Sequence, residues 1–205
     1  HRAHASTCII ARYFAKNVRG FGFLMEKELA SATRLTHNPQ KPFTAIIGGA
    51  KVSDKILLLE KMIDSVDNLI IGGGMAYTFF KAMGGHVGNS LVEEDRLENA
   101  RQILEKAKGR INLLLPKDSK VADSFTNDAK TELADNMSIP EGMMGLDIGP
   151  QAISEFTRVI TESKSILWNG PMGVFEMPNF ANGTNEIAKA VVEATDHGAF
   201  SLIGG

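Results

Sequence analysis

Two lysines beside a glycine turn are the residues of this sequence best placed to do chemistry. The stretch Thr44–Lys55 reads TAIIGGAKVSDK: apolar, β-prone residues lead to Gly48 and Gly49, and Lys51 and Lys55 follow. If a helix begins at the turn, the two lysines share one of its faces. A strand, a glycine turn and the positive end of a helix form a site for an anion, usually a phosphate. The alternative is an ordinary strand-to-helix turn with two solvated lysines, because short glycine motifs also match by chance.

An apolar run followed directly by glycines occurs three more times along the chain. It recurs in LIIGGGMAYTF (Leu69–Phe79), ILWNGPMGVFE (Ile166–Glu176) and FSLIGG (Phe200–Gly205). Four such junctions predict strands that all end at one edge of a sheet. In open α/β sheets this edge is where ligands bind.

The rest of the chain supplies the elements that must position these junctions. Strands are predicted near Ala45–Ile47, Leu69–Ile71, Ile111–Leu115, Met144–Leu146, Ile166–Trp168 and Ala199–Ile203. Helices are predicted near Val52–Ile63, Met75–Met83, Ser90–Gly109, Pro150–Glu162 and Thr184–Ala194, and around Phe23–Leu29 with an end at Asn38-Pro39. About six strands alternating with helices predict an α/β fold, a doubly wound, mostly parallel sheet with helices on both faces in a Rossmann-like three-layer domain.

Two stretches of this pattern carry a more detailed prediction. Ser90-Leu91-Val92-Glu93 fits a capping box that begins a helix. The acidic run Glu93-Glu94-Asp95 is then interpreted as first-turn acids that stabilise the helix dipole, rather than as metal ligands. Lys117–Glu141 is polar and poorly periodic, which predicts loops or short edge strands.

The composition argues against several classes of function. The chain has 205 residues, 43% of them apolar, enough for a sizeable core. A net charge of -2 gives no overall basic field for nucleic acid. Cys8 is the only cysteine, so an internal disulfide cannot form, and no apolar run is long enough to span a bilayer.

The common nucleotide and nucleophile motifs are absent. The third glycine of a dinucleotide fingerprint is replaced by Met25 after Gly20-x-Gly22 and by Tyr77 after Gly72-Gly73-Gly74. No Walker A loop and no G-x-S-x-G elbow occur. His1-x-x-His4 is interpreted as a surface loop or helix end, since no third metal ligand lies nearby in sequence.

Three functions therefore stay open from the residues alone. The first is a nucleotide-dependent phosphoryl-transfer enzyme, in which the lysines act at the glycine turn and Glu176 holds a ribose diol. The second is a dinucleotide oxidoreductase, and the third is a non-catalytic nucleotide-binding domain. Phosphoryl transfer also requires Mg²⁺, for which neither Asp54 nor Asp147 is compellingly placed.

Several longer motifs, taken in order, resemble one family closely. IIGGAKVSDK, LIIGGGMAYTF, MGLDIGP and LWNGPMGVFE, together with HRAH and GFLMEKEL, strongly resemble phosphoglycerate kinase over essentially the whole chain. The resemblance implies two α/β domains around a cleft, and transfer of a phosphoryl group between 1,3-bisphosphoglycerate and MgADP to give 3-phosphoglycerate and MgATP. It implies Mg²⁺ as cofactor with the nucleotide, no nucleic-acid or membrane partner, and a cytoplasmic monomer.

The resemblance also assigns site residues. It implies that Lys51 stabilises the transferring phosphoryl group, Lys55 contacts the nucleotide phosphates with Asn169 close by, Glu176 binds the ribose, and Arg2 holds the 3-phosphate of phosphoglycerate. The adenine slot that it implies consists of Gly49, Ala50, Gly72, Gly73, Leu91, Gly145, Leu146, Pro171 and Val174. Gly205 is carried over as a nucleotide-binding residue of the family's IGGGDTA loop.

The chain departs from the family mainly by what it lacks. Residues 1–40 are expected to be the end of the N-terminal domain and the connecting helix, and residues 41–205 a truncated C-terminal nucleotide-binding domain. The loop's aspartate, a magnesium ligand in the family, and most of the substrate-binding domain are not in the sequence. We therefore expect this chain to bind nucleotide weakly and to be inactive alone.

Overall fold

The computed structural model describes residues 9–20 and 22–204, which fall into two compact units. The first unit ends at Asn38 and contains helix α1 (Phe23–His37), which begins after Gly22 and ends just before Asn38-Pro39, as predicted. Phe23 and Leu24 at its start are exposed, whereas Leu35 is buried. No helix within the described ranges is long and apolar enough to cross a membrane.

The second unit, Pro39–Gly204, contains the other α-helices and all the strands of the described residues. Its helices are α2 (Ile56–Ile63), α3 (Ala76–Ala82), α4 (Leu97–Ala107), α5 (Pro150–Thr161) and α6 (Asn182–Asp196). Its strands are β1 (Phe43–Ile47), β2 (Asn68–Ile71), β3 (His86–Val87), β4 (Asn112–Leu114), β5 (Asp118–Ala122), β6 (Thr131–Asp135), β7 (Ser138–Ile139), β8 (Met144–Ile148), β9 (Ser165–Asn169) and β10 (Phe200–Gly204).

A five-stranded parallel sheet in the order β10-β9-β1-β2-β4 forms the centre of this unit. All five residues of β1 are buried, which explains the apolar run Ala45–Ile47 in this strand. In the register of the sheet, Ile47 pairs with Ile71 on one side and with Asn169 on the other. The glycine junctions that follow β1, β2 and β9 therefore meet at one edge, as predicted.

Helices cover the sheet in the manner expected of a doubly wound fold. On one face, Phe156 of α5 and Ile187 of α6 join a buried cluster with Ile46, Ile70 and Trp168 of the strands. Because neighbouring residues of a strand point to opposite faces, the intervening strand residues face the layer formed by α2, α3 and α4. The predicted α/β class and Rossmann-like layering are confirmed.

The prediction that β8 belongs to the parallel sheet is wrong. β8 pairs antiparallel with β5, and the order β6-β5-β8 forms a separate three-stranded sheet. β5 lies inside the stretch predicted as loops or edge strands, and it is the central strand of this sheet. The sequence of β5 does not have the apolar pattern of a strand, because its first residue is a buried acid. Asp118 accepts hydrogen bonds from the backbone N–H groups of Gln151 (3.1 Å) and Ala152 (2.8 Å) and so caps α5.

Two predicted helix starts are also wrong. The second helix begins at Ile56 rather than near Val52, and residues 52–55 form turns. The fourth begins at Leu97, after a 3₁₀ turn over Glu94–Arg96, rather than at Ser90. Ser90 makes no capping box, because its hydroxyl accepts a hydrogen bond from the backbone N–H of Gly145 instead (2.9 Å).

Candidate functional site

Backbone hydrogen bonds join the glycine junctions that follow β1 and β9. The Gly48 N–H donates to the Asn169 carbonyl (2.9 Å), and the Gly49 N–H donates to the Pro171 carbonyl (3.0 Å). A Cβ at Gly48 would clash with the Pro171 carbonyl oxygen. The glycines here permit two chain segments to approach at backbone distance, which no other residue would allow.

The junction after β2 joins the same cluster. Gly73 has a positive φ of +70° and donates its N–H to the Met172 carbonyl (3.2 Å). A Cβ at this position would lie 2.6 Å from the backbone nitrogen of Gly49. Three junctions, far apart in sequence, therefore form one continuous backbone surface.

A cavity of about 690 Å³ opens against this surface. Its volume lies within the range of small-molecule sites. Nine residues of the predicted site line it: Gly49, Ala50, Gly73, Leu91, Gly145, Leu146, Pro171, Val174 and Glu176. The lining residues that the sequence reasoning missed are Gly74, Tyr77, Asn89, Phe125, Met144, Met172, Gly173 and Phe175.

An irregularity in β8 shapes one wall of the cavity. The pairing of β8 with β5 shifts register between Lys120 and Val121, and Leu146 has no partner across the ladder. The Leu146 carbonyl instead accepts a hydrogen bond from the Val174 N–H (2.8 Å). The bulge thus connects β8 to the loop after β9, and both lie at the cavity.

Tyr77 supports the same wall from α3. Its ring packs on Gly145, where a Cβ would overlap the phenol, and its hydroxyl is 2.8 Å from the Ser119 hydroxyl. Burial raises the pKa of Tyr77 above its ordinary value, so the phenol stays neutral. In the sequence, Tyr77 is notable only because it replaces the third glycine of a dinucleotide fingerprint. That replacement does not indicate its supporting role at the cavity wall.

The two lysines lie beside the cavity, although not as predicted. Because α2 begins at Ile56, Lys51 and Lys55 precede it and do not share a helix face. Lys55 donates a hydrogen bond from its ammonium to the Asn169 side-chain carbonyl, and the Asn169 amide donates to the Gly204 carbonyl (3.1 Å). Lys51 is exposed and follows Ala50 of the cavity wall.

The comparisons with known proteins identify one family. The family model described as phosphoglycerate kinase matches residues 1–205. The chain belongs to the phosphoglycerate kinase family. A phosphoglycerate kinase of Porphyromonas gingivalis is 55% identical over 206 residues, which cover 100% of this chain and 49% of that protein. A cytosolic phosphoglycerate kinase of Nicotiana tabacum is 50% identical and is covered to 51% of its length.

Solved structures of phosphoglycerate kinases have the same fold. That from Coxiella burnetii matches with a TM-score of 0.85 and 42% identity, covering 90% of this chain and 47% of that one. That from Pyrococcus horikoshii matches with a TM-score of 0.75 and 29% identity, covering 90% and 46%. The chain thus spans about half the length of the phosphoglycerate kinases that it matches.

Some residues predicted from the family resemblance lie outside the cavity lining. Gly72 follows β2, and its N–H donates to the Ile47 carbonyl (3.0 Å), so it belongs to the joined junctions without lining the cavity. Lys51, Lys55 and Asn169 also lie outside the lining. Arg2 and Gly205 fall outside the described residues.

Asp147 is a buried acid next to the cavity wall. Its carboxylate accepts hydrogen bonds from the backbone N–H groups of Gly183 (2.8 Å) and Ile148 (2.9 Å), and thereby connects β8 to the first turn of α6. Burial raises its pKa to about 6, although these hydrogen bonds and the charge of Lys120 act in the opposite direction. Gly173 of the cavity wall packs directly against this carboxylate.

Proposed function

We propose that this chain carries the adenine-nucleotide site of a phosphoglycerate kinase, an enzyme that moves a phosphoryl group between 1,3-bisphosphoglycerate and MgADP. The observation that carries the proposal is the cavity at the carboxyl edge of the sheet, where nine residues expected to contact the nucleotide meet. Family membership and the position of the edge in a doubly wound sheet support it.

The walls of the cavity suit a flat, largely apolar base. The backbone of Gly49, Gly73 and Gly145 allows close approach, and Leu91, Leu146 and Val174 supply apolar contact. Glu176 lies at the cavity with an exposed carboxylate that can accept hydrogen bonds from both ribose hydroxyls.

The lysines suit the phosphates. Phosphoryl transfer depends mainly on positioning and on neutralising the charge that develops on the moving group, so cations beside the cavity serve both purposes. Lys55 is bonded to the neutral amide of Asn169, and a phosphate oxygen would compete well because a charged acceptor forms the stronger hydrogen bond. We assign Lys55 to the nucleotide phosphates and Lys51 to the transferring group.

Magnesium would reach this site as part of the nucleotide substrate. Within residues 9–20 and 22–204 no group of three or more His, Cys, Asp or Glu could hold a metal ion. The oxygens of Asp147 are already occupied by backbone N–H groups. We therefore propose no protein ligand for Mg²⁺ among these residues and derive no step through it.

The properties of the whole protein belong to the same proposal. We propose that residues 1–40 belong to the end of a substrate-binding domain and its connecting helix, with Arg2 contacting phosphoglycerate. Two relatives are named as cytosolic enzymes, and a cytosolic monomer is the corresponding expectation here. The chain alone should bind nucleotide without turnover, because one domain cannot present both substrates.

Calorimetry with MgADP tests the nucleotide site directly. The purified chain should bind MgADP, and Lys55→Ala should weaken this binding by about 1–3 kcal/mol, since a charged partner of the phosphates is removed. Lys61→Ala is the matched control, because Lys61 is an exposed lysine in the last turn of α2. NAD binding tighter than ADP binding would favour the dinucleotide alternative and overturn the proposal. The non-catalytic alternative would be favoured if a version with both domains bound MgADP but formed no ATP from 1,3-bisphosphoglycerate.

A further inference from the structure

We propose that Glu93 is a positioning residue, which holds the segment carrying Lys51 and Lys55 in the geometry that receives nucleotide phosphates. The inference rests on the proposed function, because it assigns a role within the same site. The sequence patterns assigned Glu93 only to a capping box and to the first-turn acids of a helix, and the resemblance assigned it no role.

Both oxygens of the Glu93 carboxylate accept hydrogen bonds from Ser53, which lies between the two lysines. Oε2 accepts a hydrogen bond from the Ser53 backbone N–H (3.0 Å), and Oε1 accepts one from the Ser53 hydroxyl (2.6 Å). Glu93 is 40 residues away from Ser53 in sequence, so this is a tertiary contact between two loops. A bidentate contact of this kind fixes the orientation of Ser53 as well as its position.

Glu93 is itself held on a rigid support. Its backbone N–H donates to the Thr78 hydroxyl (3.1 Å), and Thr78 is fully buried on α3. The residues after Glu93 form the 3₁₀ turn that leads into α4. The carboxylate therefore extends to the lysine segment from a fixed point on the α3 and α4 layer.

The lysine segment needs such an anchor because regular secondary structure does not constrain it. Between Gly49 and the start of α2 at Ile56 the chain forms bends and turns. Val52 is buried, and its carbonyl accepts the N–H groups of Lys55 (2.8 Å) and Ile56 (2.9 Å), which fixes the turn internally. The bonds to Glu93 add a link from this turn to α3 and α4, two residues from each lysine.

The charge state of Glu93 suits this role. Burial alone would raise the pKa of the carboxyl, but the hydrogen bonds from Ser53 and Val52 and the nearby charge of Lys51 outweigh it, so the pKa is lowered. The carboxylate thus stays ionised at neutral pH and forms charge-assisted bonds. It does not serve the dipole of α4, whose first turn contains Glu98 instead.

The test compares ligands with and without phosphates. Binding of MgADP and of adenosine to the 205-residue chain is measured by calorimetry for the parent, Glu93→Gln, Ser53→Ala and Ser53→Thr. We expect Glu93→Gln and Ser53→Ala to weaken MgADP binding about three- to tenfold and to leave adenosine binding unchanged, because adenosine does not reach the lysines. Ser53→Thr keeps the hydroxyl and should retain most of the affinity. Glu94→Gln, the same charge change one residue along, is the matched control.

Three outcomes separate the possibilities. MgADP affinity unchanged by Glu93→Gln, in a parent chain that binds MgADP, overturns the inference and leaves the proposed function intact. Equal losses for MgADP and adenosine indicate a general structural role and also overturn it. A parent chain that binds neither ligand refutes the proposed function and the inference with it.

Hydrogen exchange without any ligand gives a second measurement. In Glu93→Gln the amides of residues 51–55 should exchange faster, while those of α3 keep their protection, since only the link to the segment is lost. Unchanged exchange in residues 51–55 would contradict the inference whatever the binding data show.

Discussion

Replacing Asp147 with Asn should change how the stability of the chain depends on pH. The Asp147 side chain is buried, and its pKa is about 6, against 3.8 for an unperturbed aspartate. The folded chain therefore binds a proton at this site more tightly than the unfolded chain. Protonation favours folding, so the contribution of Asp147 to stability is greatest below pH 4 and is lost as the pH rises to about 6.

The size of this stability change follows from the difference between the pKa of Asp147 in the folded chain and in the unfolded chain. About two pKa units at about 1.4 kcal/mol each give roughly 3 kcal/mol, which the parent chain loses between acid and neutral pH. The amide that replaces the carboxyl does not titrate, so the Asp147→Asn variant lacks this loss. The loss of one accepted backbone hydrogen bond adds a pH-independent cost of about 1–3 kcal/mol. At pH 4 the free energy of unfolding of the variant should be lower than that of the parent. Between pH 4 and pH 7 the difference between the two proteins should change by about 3 kcal/mol in favour of the variant.

Urea unfolding at half-unit steps from pH 4 to pH 7 measures the difference between the two proteins. Contributions of other carboxyls with lowered pKa values, such as Asp67 and Glu93, have the opposite sign and cancel in the difference. Lys120→Met is the companion variant: the Lys120 charge lowers the pKa of Asp147, so its removal should move the loss to higher pH. Parallel stability curves for the parent and Asp147→Asn would refute the reasoning.

Two further predictions concern the cavity. Gly73→Ala should destabilise the chain by at least about 2 kcal/mol and abolish MgADP binding, because its φ is +70° and its Cβ would press on the Gly49 backbone. Gly109→Ala is the control, because Gly109 has a φ of +71° but no atom near its added Cβ, so this variant has the backbone strain without the clash. Equal unfolding free energies for the two variants would contradict the packing argument. Glu176→Gln should weaken ADP and ATP binding together by about 1–3 kcal/mol and leave inorganic triphosphate binding unchanged, whereas calorimetry showing unaltered ADP affinity would remove Glu176 from the ribose site.

The parallel sheet could be predicted because its inner strands β1 and β2 are almost entirely buried. The apolar runs Ala45–Ile47 of β1 and Leu69–Ile71 of β2 are each closed by glycines, and such a run can be recognised without knowledge of its partners. β5 lacks this signal. It begins with Asp118 and Ser119, both buried, and their polar groups are satisfied by the start of α5 and by Tyr77. A buried polar residue resembles a loop residue until its partner is known, and that partner lies elsewhere in the sequence.

The start of α4 could not be predicted for a related reason. Ser90 and Glu93 have the identities and spacing of a capping box, but each makes a tertiary contact instead, Ser90 with Gly145 and Glu93 with Ser53. Both contacts reach segments of the candidate site, the wall at β8 and the lysine segment. Ser90 and Glu93 could form a local capping box, but here they connect segments of the site instead. The sequence pattern therefore predicts the wrong helix start at the site, whereas the apolar runs predict the strands of the central sheet correctly.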